Sequence, residues 1–140
     1  MLPQFILTDI GTHILDAARF LFGEAAELQC QTRRIHLDIA GEGVATVLMR
    51  MQNDSIVVCN MSYASRCESD LFPQTFVSVE GTQAGVSLGA NYELRIYDKK
   101  GVTSENVAIA ETTGQDNLKT LQLIDSTYRS AMEHQTIEID

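Results

Sequence analysis

Apolar and polar positions change period twice along the chain. Ile10, Ile14, Ala17, Ala18 and Leu21 recur at helical spacing and predict an amphipathic helix over residues 9–22. Thr8 or Asp9 stands where a side-chain oxygen would cap its first amides, and Gly23 where a left-handed turn would end it. From Glu27 to about Ile109 the period is two. Leu28, Cys30 and Thr32 alternate with Gln29, Gln31 and Arg33, and Ala45, Val47, Met49 and Met51 with Val44, Thr46, Leu48 and Arg50. Asn53-Asp54 marks a turn, with a return strand over Ile56 to Tyr63. Further strands are expected over residues 75–80, 86–88, 92–97 and, more weakly, 102–109, with a turn at residues 98–101. Residues 66–74 read as a loop. Asp116 is the expected cap of a second helix over residues 117–133, whose inward face would be Leu118, Leu121, Ile124 and Tyr128. Residues 136–139 would close the chain as an edge strand.

Helix, a long run of strands, then helix predicts an α+β domain: an open-faced, mainly antiparallel sheet with helices packed on one face. Residues 1–140 are expected to form this single domain. Strands 44–51 and 56–63 carry Met, Val and Cys on both faces, as for a sheet covered by helices on one side and by another subunit on the other. Met49, Met51 and Met61 fit either the core or that second face.

Composition narrows the partners. The chain has 140 residues, no Trp, and a net charge of −9. Such an acidic balance repels nucleic acid and anionic lipid. No apolar run approaches the roughly 18 residues of a membrane span, and no signal-peptide pattern opens the chain. Cys30, Cys59 and Cys67 are odd in number and lack C-x-x-C spacing, so they read as free thiols, mostly buried, of a cytoplasmic protein. Phe5-Ile6-Leu7 places an apolar stretch almost at the first residue, and the chain is expected to be part of something longer.

The candidate chemistry sits on the first helix. At about 100° per residue, His13 lies about 40° to one side of Asp9 and Asp16 about 20° to the other, so the three share one arc with Phe20. Three readings fit that spacing: a cap with two surface residues, a metal site, and a carboxylate–imidazole pair for acid–base work on a hydroxyl. No further His or Cys cluster supports the metal. His36 and His134 are isolated and read as surface residues. Tyr63 and Arg66 leave the return strand where they could reach a pocket from the sheet.

Residues Thr8 to Glu24, TDIGTHILDAARFLFGE, resemble the D-x-G-x-H-x-x-D-x-x-R-[FW]-L-x-G motif of the Gfo/Idh/MocA oxidoreductases, the glucose–fructose oxidoreductase and inositol dehydrogenase family. Val77 to Gly85 is similar to that family's V-x-V-x-G-T-x-G-x-L segment, with Ala84 as an extra residue. Tyr128-Arg129-Ser130-Ala131 and Thr136-Ile137-Glu138-Ile139 resemble its closing helix and strand. The resemblance implies the C-terminal, substrate-binding and oligomerising half of an NAD- or NADP-dependent oxidoreductase acting on a sugar or polyol, forming a homo-oligomer (dimer or tetramer) through the sheet face. It gives His13 the proton of the substrate hydroxyl, and makes Asp9 a substrate ligand that orients His13. Asp16 and Arg19 are expected to dock the helix. The family's E-K-P lysine and the G-x-G-x-x-G of a Rossmann half do not occur here. The chain alone is therefore expected neither to bind NAD(P) tightly nor to turn over substrate. Two alternatives stand beside this reading: a stand-alone dimerisation or binding module, and an NAD-dependent glycosidase-type relative.

Overall fold

The structure is a computed structural model that describes residues 3–65, 75–89, 92–106 and 117–139. Two compact units emerge, Met1–Ser65 with Thr112–Asp140, and Arg66–Glu111. The architecture is α+β, as the sequence predicts, with the strands divided between two four-stranded antiparallel sheets.

The first unit runs α1 (Ile10–Phe22), β1 (Ala25–Arg33), β2 (Val44–Met51), β3 (Ile56–Ser62), α2 (Asn117–Glu133) and β8 (Ile137–Glu138). Its sheet has the order β3-β2-β1-β8. The alternation read from the sequence sets the register: Cys30 faces Val47, and Val47 faces Cys59. Leu28, Cys30, Val47, Met49, Met51, Val57, Cys59 and Met61 turn inward against Leu15 and Ala18 of α1 and Leu123, Ile124, Tyr128 and Ala131 of α2. All three of these methionines are therefore core residues. Burial pushes the Cys59 thiol up to about 11 and, aided by the Glu42 charge, the Cys30 thiol up to about 12. β8 pairs with Glu27 and Leu28, and Ile139 N–H carries the ladder on to Ala26 O (2.8 Å). Further along β1, the Cys30 amide donates instead to the Ser130 hydroxyl of α2 (2.8 Å).

Both helices are rotated from their predicted faces. In α1 the buried residues are Gly11, Leu15, Asp16, Ala18 and Arg19, while Ala17 and Leu21 are exposed. In α2, Leu118 and Leu121 are 68% and 57% exposed, and Thr120, Leu123, Thr127 and Ser130 point inward beside Ile124 and Tyr128. The reason is polar: inward Asp16, Arg19, Thr120, Thr127 and Ser130 all find hydrogen-bond or ion-pair partners, so a hydrophobicity pattern alone misplaces the face.

The ends of α1 also differ in detail. The Asp9 side chain makes no cap. A preceding turn supplies the acceptors, with Asp9 N–H bonding Phe5 O (3.1 Å) and Gly11 N–H bonding Ile6 O (2.9 Å). Gly23 has φ +87°, ψ −161°, open to glycine rather than to other residues, and its N–H bonds Arg19 O. Asn53 of the β2–β3 turn donates its side-chain amide to Phe22 O (3.1 Å), tying that turn to the helix end.

The second unit is a meander of β4 (Val77–Glu80), β5 (Gly85–Leu88), β6 (Glu93–Asp98) and β7 (Gly101–Asn106), in that spatial order. Cross-strand pairing puts Val77, Val79, Val86, Leu88, Leu94 and Ile96 on one face. Tyr92, expected in β6, precedes it with φ +58°. Residues 66–74, including Arg66 and Cys67, lie outside the described residues, as do residues 107–109 and Asp116.

Candidate functional site

The N-terminal end of α1 and the end of β3 meet in the first unit. Asp9 is the last residue before α1, and Tyr63 the first after β3. The Tyr63 hydroxyl donates to Asp9 Oδ2 at 2.5 Å. That bond, with burial second, pushes the phenol up to about 12. Phe5 stacks on the Tyr63 ring, centroids 5.0 Å apart and planes at 22°. His13 lies one turn along α1 with its imidazole exposed. Asp9 and His13 thus share an open, polar end of the helix, and no hydrogen bond joins them among the described residues. Arg66, the remaining predicted substrate contact, lies outside those residues.

Asp16 separates from the pair. It is 9% exposed and Arg19 6%. Thr120 of α2 donates to Asp16 Oδ1 (2.7 Å) and accepts from Arg19 Nη1 (2.8 Å). The same guanidinium grips Glu24 with Nε and Nη2, both at 3.0 Å. Lys119 adds a second cation on Glu24 at 2.7 Å. The Arg19 bond foremost, then Lys119, pulls the Glu24 carboxyl down to about 2. Asp16 and Arg19 therefore dock α1 on α2, in the role that the family resemblance implies.

One group at the site escapes the sequence reading. Glu42, 7% exposed, accepts three hydrogen bonds on Oε1: from Phe5 N–H (3.2 Å), Leu7 N–H (3.1 Å) and the Tyr128 hydroxyl (2.7 Å). Its backbone carbonyl takes Ile6 N–H at 3.1 Å, and the neighbouring Gly43 carbonyl takes Tyr63 N–H at 2.9 Å. A Cβ on Gly41 would lie 2.5 Å from Phe5 Cβ, so glycine is needed for this approach. Burial foremost, then Glu42, raises the Tyr128 phenol strongly. A carboxylate between two glycines was the one sequence signal available, since close backbone packing would leave its charge indoors.

Among the described residues, no group of three or more His, Cys, Asp and Glu side chains could hold a metal ion. No helix among them is long and apolar enough to cross a membrane.

Comparison with known proteins places these residues in a wider setting. Residues 2–87 match the model of the GFO/IDH/MocA C-terminal domain. Two proteins named D-apiose dehydrogenase, from Paraburkholderia graminis and Rhizobium rhizogenes, are 38% and 31% identical over 97% of the chain. The chain spans 45% and 49% of their lengths. A crystal structure of an oxidoreductase from Agrobacterium radiobacter in complex with NAD+, L-tartaric acid and magnesium superposes with a TM-score of 0.88 at 30% identity, over 97% of this chain and 49% of that one. The aldose-aldose oxidoreductase from Caulobacter crescentus, complexed with glycerol, shares the fold with a TM-score of 0.79 at 19% identity, over 97% of this chain and 48% of that one. This chain belongs to the GFO/IDH/MocA C-terminal domain family.

Proposed function

We propose that this domain holds the hydroxylated substrate of an NAD- or NADP-dependent sugar dehydrogenase, with the Asp9 carboxylate as a ligand and the His13 imidazole as the proton acceptor. The observation that carries this is the exposed Asp9–His13 pair at the start of α1, inside the stretch that matches the family. A carboxylate that accepts hydrogen bonds suits a sugar hydroxyl, and an imidazole takes up a proton near neutrality. A dinucleotide does not fit the residues of this chain, which has no G-x-G-x-x-G and no E-K-P lysine. The cofactor would belong to a Rossmann half, and the 140 residues alone would neither bind it tightly nor turn over substrate.

Aldoses are the first substrates to assay, D-apiose among them, given the names of the relatives. Leu48, Ile56 and Val58 are exposed on the helix-free face of the first sheet. Their apolar patch supports self-association of the parent protein there, rather than a solvated face. Free, buried Cys30 and Cys59 suit a reducing cytoplasm.

The test is His13→Ala in the full-length dehydrogenase. The expected result is a fall in kcat of at least ~10²-fold, the scale of acid–base contributions. An unchanged kcat would reduce His13 to a surface residue.

A further inference from the structure

We propose that Tyr63 is a positioning residue for the Asp9 carboxylate rather than a ligand of the substrate. Its hydroxyl holds one carboxylate oxygen of Asp9 and leaves the other for the substrate hydroxyl. The inference rests on the reading of Asp9 given above and assigns the residue that makes Asp9 effective.

Three observations carry it. First, Asp9 sits at the cap position without capping, because the carbonyls of Phe5 and Ile6 take the early amides. The carboxylate is left exposed, and a lone exposed side chain samples several rotamers. Second, the Tyr63 hydroxyl at 2.5 Å is its hydrogen-bond donor among the described residues. Third, the Tyr63 ring is itself fixed at both ends. Its backbone N–H is tied to Gly43 O, and its face is stacked on Phe5. Phe5 in turn is held by the buried Glu42 carboxylate. The loop Gly41-Glu42-Gly43 therefore anchors both the segment entering α1 and the residue leaving β3, and Tyr63 passes that rigidity to Asp9. Its hydroxyl proton goes to Asp9, and with its phenol at about 12 Tyr63 stays protonated near neutral pH. It donates to a carboxylate and takes no proton from a sugar.

Tyr63→Phe deletes the hydroxyl and keeps the stacked ring. In the full-length dehydrogenase it is expected to lower kcat/KM about 10-fold or more, as misplaced binding groups do. Asp9→Asn is expected to lower it further, and the double variant no further than Asp9→Asn alone, because one substitution acts through the other. Ultraviolet titration of the 140-residue chain gives a second readout. Asp9→Asn should bring one tyrosine down from about 12 towards the ordinary value of about 10, and Tyr63→Phe should remove that same transition. Losses that add in the double variant would overturn the proposal in favour of direct substrate contact. So would a wild-type rate for Tyr63→Phe beside an impaired Asp9→Asn. Wild-type rates for Asp9→Asn would instead bring down the reading of Asp9, whatever the titration showed of the pairing.

Discussion

Replacing Arg19 by Met isolates the polar joint between α1 and α2. Methionine keeps the length and apolar stem of the side chain and removes the guanidinium. Lost with it are two bonds to Glu24 at 3.0 Å, one to Thr120 at 2.8 Å, and a charge 3.5 Å from Asp16. Asp16, 9% exposed, would keep one neutral hydroxyl as its donor among the described residues. Removing one partner of a buried ion pair costs about 3–5 kcal/mol. Because Glu24 faces water in part and keeps Lys119, the lower end applies, about 3 kcal/mol, or a fall in Tm of roughly 10–20 °C. The assay is urea denaturation followed at 222 nm, since α1 and α2 belong to the same unit. A pH series adds a second test. The Glu24 carboxyl is held at about 2, well below its ordinary value of 4.5. A depressed acid contributes stability above its unfolded value and loses it as pH falls through the folded one. Wild-type stability should therefore decline between pH 4.5 and 2, by about 1 kcal/mol from this group once solvent screening is allowed for. The variant should decline less over that window. A loss under about 1 kcal/mol at pH 7, with an unaltered acid slope, would refute the buried joint and make Arg19 an ordinary surface arginine.

Glu42→Ala strands two backbone amides and the Tyr128 hydroxyl indoors, and is expected to destabilise by about 3 kcal/mol or more, whereas Tyr128→Phe removes a single donor and should cost about 1 kcal/mol; thermal melts compare the two. Gly41→Ala pushes a methyl into Phe5 Cβ at 2.5 Å and is expected to cost about 1–3 kcal/mol in the same melts, with wild-type stability contradicting the close approach. Val58→Lys with Ile56→Lys places two charges on the helix-free sheet face; light scattering of the full-length protein should show a smaller assembly at unchanged helix content, and a wild-type protein that is already monomeric would refute self-association there.

The strands of the first unit were legible because one face is buried. A one-residue slip would move Val47, Met49 and Met51 to the open face, so period and register carry the same information. Helix faces were less legible. Asp16, Arg19 and Thr120 look like solvent-facing residues until the groups they meet are known, and those groups lie about a hundred positions apart in sequence. The same holds at the candidate site. The Asp9–His13 spacing shows within five residues, but Tyr63 is 54 residues from Asp9. Glu42 is 37 residues from Phe5 and carries no motif. Division of the strands into two sheets was not legible, since both obey the same period of two.

The first unit is discontinuous, with Arg66–Glu111 intervening between its two parts, and this sets the order in which a ribosome can complete it. Asp16 waits for Thr120, 104 residues later, and Cys30 for Ser130, 100 residues later. Closing so long a loop is thermodynamically mild, since each doubling of length costs only about 0.6 kcal/mol. In time it is not mild. At roughly 5–20 residues per second, the strands β1 to β3 emerge roughly 3–14 s before α2 (Asn117–Glu133) can cover them. Over that interval the sheet face carrying Leu28, Val47 and Met49 has α1 but not α2 to cover it, and the apolar surface left open on the nascent chain is the kind that holding chaperones bind.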